Sequence, residues 1–184
     1  MVATGHRAGG GWLWVGRLAL VAIVGVQQAY AQPGSASPGP TRLRPIDRKA
    51  ADLLAAGKVR SATFRRLAET IERSDLIVWV AAAHLQRPGQ LQFVAATPCS
   101  RCVRVAVRLP GLENDLVSTL AHELQHAVEI AGASEVRDPA SLRRFYERIG
   151  ESRPAGAGVE VETAAAQRIG KKVLNELLAA GDRR

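Results

Sequence analysis

The strongest constraint on the fold of this chain is a two-faced helical pattern that ends near Ala131. Apolar residues recur every three or four positions and, at 100° per residue, fall on one side of a helix. His122, His126 and Glu129 fall together on roughly the opposite side. We therefore predict a long helix that buries one face and turns the other towards a cleft. The apolar face comprises Leu116, Val117, Leu120, Leu124, Ala127 and Val128.

The polar side of this helix carries the sequence His122-Glu123-Leu124-Gln125-His126. Four residues make nearly one helical turn, so both imidazoles can bind a single Zn²⁺. Glu123 lies beside such a metal, where it can take a proton from water and pass it to a leaving group. The alternative is two surface histidines on a polar helix face. Because this motif arises by chance in roughly 1 in 100 chains of this size or fewer, we favour one zinc ion.

These residues resemble the zincin superfamily of metallopeptidases, over about Leu76 to Ala180 and with specificity only at the motif. The resemblance implies a small mixed sheet packed on the motif helix, with its edge strand lining the substrate cleft. The metzincin branch has Gly and a third His where this chain has Glu129 and Gly132. No His follows His126. The resemblance therefore implies a carboxylate as the third ligand, which is the gluzincin arrangement.

Glu162 is our candidate for that carboxylate. We predict a closing helix over Val161–Ala180, in which Glu162 precedes Ala165 and Ala166 of the apolar stripe by three and four residues. Glu160 would fall on the far face. Burying a carboxylate alone is costly, and a metal is one partner that offsets the cost. The alternative is a first-turn acid that interacts with the helix dipole.

Other residues are candidates for supporting roles. Glu129 shares the histidine face but lies about 10 Å along the axis from His122, so we expect it at the rim of the site or behind a ligand. Gluzincins often carry an Asp four residues after the ligand Glu, and Ala166 takes that place here. Support for a zinc-bound His must then come from elsewhere. His84 and Tyr146 are candidates for stabilising an oxyanion, with an ordinary core or surface position as the alternative.

The remaining sequence predicts an α+β fold, because three strands lie between helical segments. Ser61 is expected to cap the second helix, and Asn114 or Asp115 the motif helix. The predicted elements are helices Ile46–Ala56 and Ser61–Arg73, strands Leu76–Ala82, Gln90–Ala96 and Cys102–Leu109, the motif helix, helix Ala140–Ile149, a loop at Glu151–Gly158 and the closing helix.

Residues 1–31 are typical of a secretory signal peptide. Arg7 and Arg17 precede the apolar run Leu18–Val26, and Ala29-Tyr30-Ala31 places small residues at a cleavage site. A membrane-spanning helix needs about 20 apolar residues, although an uncleaved N-terminal anchor is the alternative. We expect an exported protein, periplasmic or secreted after cleavage near Ala31.

The composition of the mature chain bears on its organisation and its partners. Residues 32–45, rich in Pro, Gly and Ser, predict a disordered linker before a metal-binding domain over 46–184. Arg7 and Arg17 contribute two of the eight net positive charges, so the chain from Gln32 carries +6. This charge favours contact with anionic envelope surfaces. The scattered basic residues and the 4% aromatic content argue against nucleic acid.

Cys99 and Cys102 are the only cysteines. A redox pair is disfavoured because a strand, not a helix, follows them. A zinc site would need two further ligands of similar softness, and no other Cys exists. In an oxidising compartment we expect a disulfide that braces a turn, with free thiols as the alternative.

The function that these features favour is a zinc-dependent hydrolase, a metallopeptidase with Glu123 as general base and a peptide or protein as substrate. The alternative is an inactive zincin-like envelope module with a structural zinc. Glu123 separates the two interpretations, because a purely structural zinc site has no use for an acid beside the metal. The sequence identifies neither a specific substrate nor an oligomeric state.

Overall fold

The structure, a computed structural model, describes residues 41–155 and 158–181, with only the backbone described for residues 151–155 and 158–161. All of these residues belong to the compact unit Pro38–Arg184. The predicted signal peptide and most of the predicted linker lie outside the described residues. Within the described part of the chain, no helix is long and apolar enough to cross a membrane.

The described chain is α+β, as predicted. The elements are β1 (Leu43–Pro45), α1 (Arg48–Arg60), α2 (Ala62–Glu72), β2 (Leu76–Ala83), β3 (Gly89–Ala96), β4 (Arg101–Arg108), α3 (Glu113–Ala131), α4 (Pro139–Ile149), β5 (Glu151–Ala155), β6 (Gly158–Glu162) and α5 (Ala164–Gly181). The main sheet has four strands in the order β1-β2-β4-β3, with β1 and β4 parallel to β2 and the edge strand β3 antiparallel to β4. A separate antiparallel hairpin joins β5 and β6.

The alternating pattern of β4 produces the expected half-buried strand. Val103, Val105 and Val107 are buried in the core, whereas Arg104 and Arg108 are exposed. The three predicted strands are confirmed to within one residue at each end. Their buried side chains form one core with residues of the helices.

Two of the helix caps follow the ordinary rules. Ser61 caps α2 by accepting a hydrogen bond from the backbone N–H of Phe64, as predicted. Asp138 caps α4 in the same manner, because its carboxylate accepts a hydrogen bond from the backbone N–H of Ser141. The predicted cap of α3 is wrong, because the helix begins at Glu113 and the cap residue Leu112 makes no side-chain hydrogen bond.

Helix α3 contacts both helices and strands of the compact unit Pro38–Arg184. It packs against α5, α1 and α2 and against strands β3 and β4. Its predicted apolar face is buried except for the half-buried Val128. The prediction that its other face lies open is only partly right, because Glu123 and His126 are also buried. The expected cleft corresponds to a cavity lined largely by residues of α3 and α5.

Three local predictions are wrong. Leu43–Pro45, which we assigned to the linker, forms β1. The backbone N–H groups of Arg42 and Leu43 donate hydrogen bonds to the carboxylate of Glu72. The expected loop Glu151–Gly158 is largely the β5–β6 hairpin. The last helix begins at Ala164 instead of Val161, so Glu162 ends a strand and does not belong to a helical stripe.

The predicted disulfide is not present, because Cys99 and Cys102 are both free. Hydrogen bonds close the turn that contains Cys99. The backbone N–H of Thr97 donates to the carbonyl of Ser100, and the backbone N–H of Ser100 donates to the Thr97 hydroxyl. The turn therefore does not need a covalent brace.

Candidate metal centre

The structure brings together the three residues expected to bind a metal. His122 and His126 lie one turn apart on α3, and Glu162 reaches them from the end of β6. One ligand atom from each residue lies within 4.8 Å of the others. The centroids of the two imidazole rings are 5.0 Å apart, and the ring planes are nearly perpendicular. The four-residue spacing of the histidines thus places both rings on the same face of the helix, as expected.

The donor set and its spacing fit a zinc ion. Ligand atoms about 2.0–2.1 Å from a tetrahedral zinc lie roughly 3.3–3.4 Å from each other. His122 Nε2 and Glu162 Oε2 are 3.3 Å apart, which matches one edge of such a tetrahedron. The widest separation of 4.8 Å exceeds this edge, so the group has to contract around an ion. Two imidazoles and a carboxylate are a ligand set of catalytic zinc sites.

His122 and Glu162 stabilise each other's charged forms. Burial alone would lower the pKa of His122, but the hydrogen bond and negative charge of Glu162 outweigh it, and the pKa is raised. Burial likewise opposes the ionised form of Glu162, whereas its contact with His122 holds its pKa below the ordinary value. The contact requires a proton between the two atoms, and a metal ion replaces that proton.

Glu129 supports the second histidine. Its Oε2 lies 3.0 Å from His126 Nδ1, and its Oε1 accepts a 2.7 Å hydrogen bond from the hydroxyl of Thr163. An ionised carboxylate only accepts hydrogen bonds, so the proton of a neutral His126 lies on Nδ1 and the lone pair on Nε2. A carboxylate on α3 itself therefore holds the His126 ring.

Glu123 lies beside the cluster in the wall of a cavity of about 430 Å³. Its side chain packs against Gly89, where an added Cβ would come within 2.5 Å of Glu123 Oε1. On the other side, an added Cβ at Gly170 of α5 would lie 3.4 Å from His122 Cβ. The two glycines let β3 and α5 approach the motif closely.

The structure does not bring the two oxyanion candidates to this cavity. Neither His84 nor Tyr146 is among the described residues that line it. The Tyr146 hydroxyl donates to the backbone carbonyl of His126 at 3.2 Å. Burial raises the pKa of Tyr146 well above its ordinary value, so the hydroxyl keeps its proton and this hydrogen bond.

Thr163, Gly89 and Gly170 are site residues that the sequence analysis missed. Thr163 had a detectable signal, because it directly precedes an alanine run and is a good helix cap. The close approach of Gly89 and Gly170 to the motif had no such signal in the sequence. It depends on contacts between segments that are far apart in the chain.

Comparison of the chain with protein-family models, with curated proteins and with solved structures gives no match. The class of protein is therefore inferred from the chemistry of the site.

Proposed function

We propose that this protein is a zinc-dependent hydrolase of the zincin type that cleaves peptide bonds. The observation that carries the proposal is the convergence of three ligand atoms beside an accessible cavity whose wall contains an acid. His122, His126 and Glu162 are the proposed ligands, and Glu123 is the proposed general base.

The proposed reaction assigns a distinct task to each group. When bound, zinc supplies a Lewis acid that polarises a carbonyl and lowers the pKa of water. Glu123 accepts a proton from the water whose oxygen forms the new bond to the scissile carbon. It then gives that proton to the nitrogen of the leaving amine as the C–N bond breaks. His122, His126 and Glu162 hold the metal and take no part in this proton transfer.

The surroundings of Glu123 favour an enzyme over a structural zinc module. A structural zinc ion usually takes four protein ligands, whereas a catalytic one takes three and keeps a position open. The cluster found among the described residues offers three. Glu123 is not one of them, yet it is buried to 7% exposure and lines the cavity. An acid held beside the ligands matches the general base of a hydrolase.

The peptide class of substrate is supported by the shape of the site. The cavity falls in the size range of ligand pockets, about 300–1,000 Å³. Gly89, which lines it, is the first residue of β3 at the sheet edge. An edge strand offers backbone hydrogen bonds to an extended peptide. Lys171 adds one positive charge to the lining.

Export belongs to the same proposal. The predicted signal peptide directs the chain to an envelope or extracellular compartment, where the positive charge of the mature protein favours anionic surfaces. Proteins or peptides of that compartment are then the substrates.

Metal analysis combined with a peptide-library cleavage assay tests the proposal. We expect about one zinc per protein, lost in His122→Ala, His126→Ala and Glu162→Gln. Glu160→Gln changes the same strand two residues away and should keep the zinc. Stoichiometric zinc in both histidine variants would refute the site. If affinity is lost in Glu160→Gln but not in Glu162→Gln, the third ligand is misassigned. Zinc binding without cleavage across a broad library would favour the binding module.

A further inference from the structure

The pair Glu129 and Thr163 lies behind the ligands, outside the cavity lining. Both carboxylate oxygens of Glu129 are engaged, one by His126 Nδ1 and the other by the Thr163 hydroxyl. Thr163 is buried to 4% exposure. A carboxylate held at both oxygens has little freedom to rotate, so the imidazole that donates to it is also held in one orientation.

The Thr163 hydroxyl has two tasks. It donates its single proton to Glu129 and accepts a 3.1 Å hydrogen bond from the backbone N–H of Ala166 in the first turn of α5. A helix cap requires only the acceptor. The donated proton is therefore available for an additional task, and it is directed towards the carboxylate that holds His126.

Thr163 also directly follows Glu162 in the chain. Fixing the start of α5 limits the backbone freedom of the preceding residue, whose carboxylate lies 3.3 Å from His122 Nε2. A continuous path of contacts and bonds thus runs from one histidine to the other, from His126 through Glu129, Thr163 and Glu162 to His122.

We propose that Glu129 and Thr163 are positioning residues that hold His126 in its Nδ1–H form and place Glu162 for the same metal. This inference rests on the proposed metal site. It adds that the metal affinity depends on a threonine hydroxyl that does not touch the metal. Loss of such outer partners typically lowers metal affinity about 10–100-fold.

The molecule contains a matched control for the capping role. Ser61 caps α2, and its hydroxyl donates to Glu176 Oε2 at 2.6 Å, so it combines a helix cap with a carboxylate contact as Thr163 does. Glu176 also accepts hydrogen bonds from the hydroxyl and the backbone N–H of Thr63. Ser61→Ala should therefore lower the free energy of unfolding without changing the tautomer of His126.

Nitrogen NMR of the metal-free protein, labelled at histidine and held at about pH 9, well above the ordinary pKa of an imidazole, tests the positioning role. His126 should show the Nδ1–H tautomer in wild type, Thr163→Ser and Ser61→Ala. Thr163→Val and Glu129→Ala should shift it towards a mixture. Glu129→Ala leaves the cap of α5 intact, so it decides the matter if Thr163→Val does not fold. An unchanged His126 signal in Glu129→Ala would overturn the proposal.

Zinc affinity, measured by competition with a chelator, tests the link to the metal. Glu129→Ala and Thr163→Val should bind about 10–100-fold more weakly, whereas Thr163→Ser and Ser61→Ala should bind like wild type. If Glu129→Ala and Thr163→Val change the tautomer of His126 but leave the zinc affinity unchanged, the proposed link between these residues and the metal is wrong. If wild type binds no zinc, the proposed function fails, whereas the metal-free spectra still test the hydrogen-bonded pair separately.

Discussion

Two polar clusters lie along helix α3, one in its middle and one at its end. In the middle, His122 and His126 meet Glu162 next to a cavity. At the end, Arg101 reaches the last carbonyls of the helix and the chain beyond it. Its side chain is 2% exposed, and all three guanidinium nitrogens donate hydrogen bonds. The acceptors are the carboxylate of Asp75 and the backbone carbonyls of Ile130, Ala131, Ala133 and Val136.

The difference between the clusters lies in what completes them. Arg101 finds every partner within the chain, so its cluster is closed and needs no ligand. The contact of His122 with Glu162 depends on a proton that a metal ion can replace. The Arg101 cluster stabilises the end of α3, where carbonyls lack helical partners. The histidine cluster presents its nitrogen and oxygen atoms to a metal ion. Both clusters pair a nitrogen base with a carboxylate, but His122 and Glu162 line a cavity that an ion can enter.

The largest effect on stability should come from Arg101→Leu. The substitution leaves buried carbonyls of α3 without donors and Asp75 without its partner, so we expect a loss of about 3–5 kcal/mol in the free energy of unfolding. Urea denaturation in the presence of a chelator measures it. Arg101→Lys keeps the charge but not the planar fork and should lose less. A change below about 1 kcal/mol in Arg101→Leu, within the range of surface pairs, would show that the cluster does not support the helix.

Gly89→Ala should damage turnover more than stability. The added Cβ would lie 2.5 Å from Glu123 Oε1 and 2.9 Å from both Glu123 Cγ and the methyl group of Thr119, so the Glu123 side chain must move. We expect a loss of up to about 10²-fold in kcat/KM with zinc retained, measured on any peptide that the wild type cleaves. Gly132→Ala is the control, because its Cβ would meet nothing closer than 3.5 Å. Equal activity of the two variants would contradict the assigned position of Glu123.

The smallest effect concerns acid stability. The hydrogen bond from Arg101 holds the pKa of Asp75 below its ordinary value of 3.8, against the opposing effect of burial. Because the folded pKa is the lower one, this stabilisation is present above pH 3.8 and is lost as the pH falls through the folded pKa. The stability gap between wild type and Asp75→Asn, measured by urea denaturation, should therefore shrink below pH 3.8. A gap that is independent of pH would exclude the ion pair as its cause.

The sequence predicted most of what local patterns determine. The bounds of α2 and the strands followed from periodicity and from the Ser61 cap. Glu162 was singled out as part of a helix, yet it meets His122 from the end of a strand. Val159-Glu160-Val161-Glu162 alternates with the period of a strand, and Thr163 is a good helix cap. The helix therefore begins after Thr163, and its apolar stripe does not include Glu162.

Features that depend on long-range partners were not predictable. Arg101 is the first residue of β4, yet in the sequence it resembles the other scattered basic residues. Its burial depends on Asp75 and on the end of α3. Strand β1 has only three residues, too few for a period to be recognised. The contact between Glu129 and Thr163 joins residues 34 positions apart.

The role of Glu123 as general base is tested most directly by comparing wild type with Glu123→Gln in a zinc-replete cleavage assay on a mixed peptide library. Gln is nearly isosteric with Glu but cannot accept the proton of water, and Glu123 is not among the proposed ligands. We expect full zinc occupancy in both proteins and a turnover about 10²–10⁴-fold lower in Glu123→Gln. Cleavage by Glu123→Gln at the wild-type rate would show that Glu123 is not the general base.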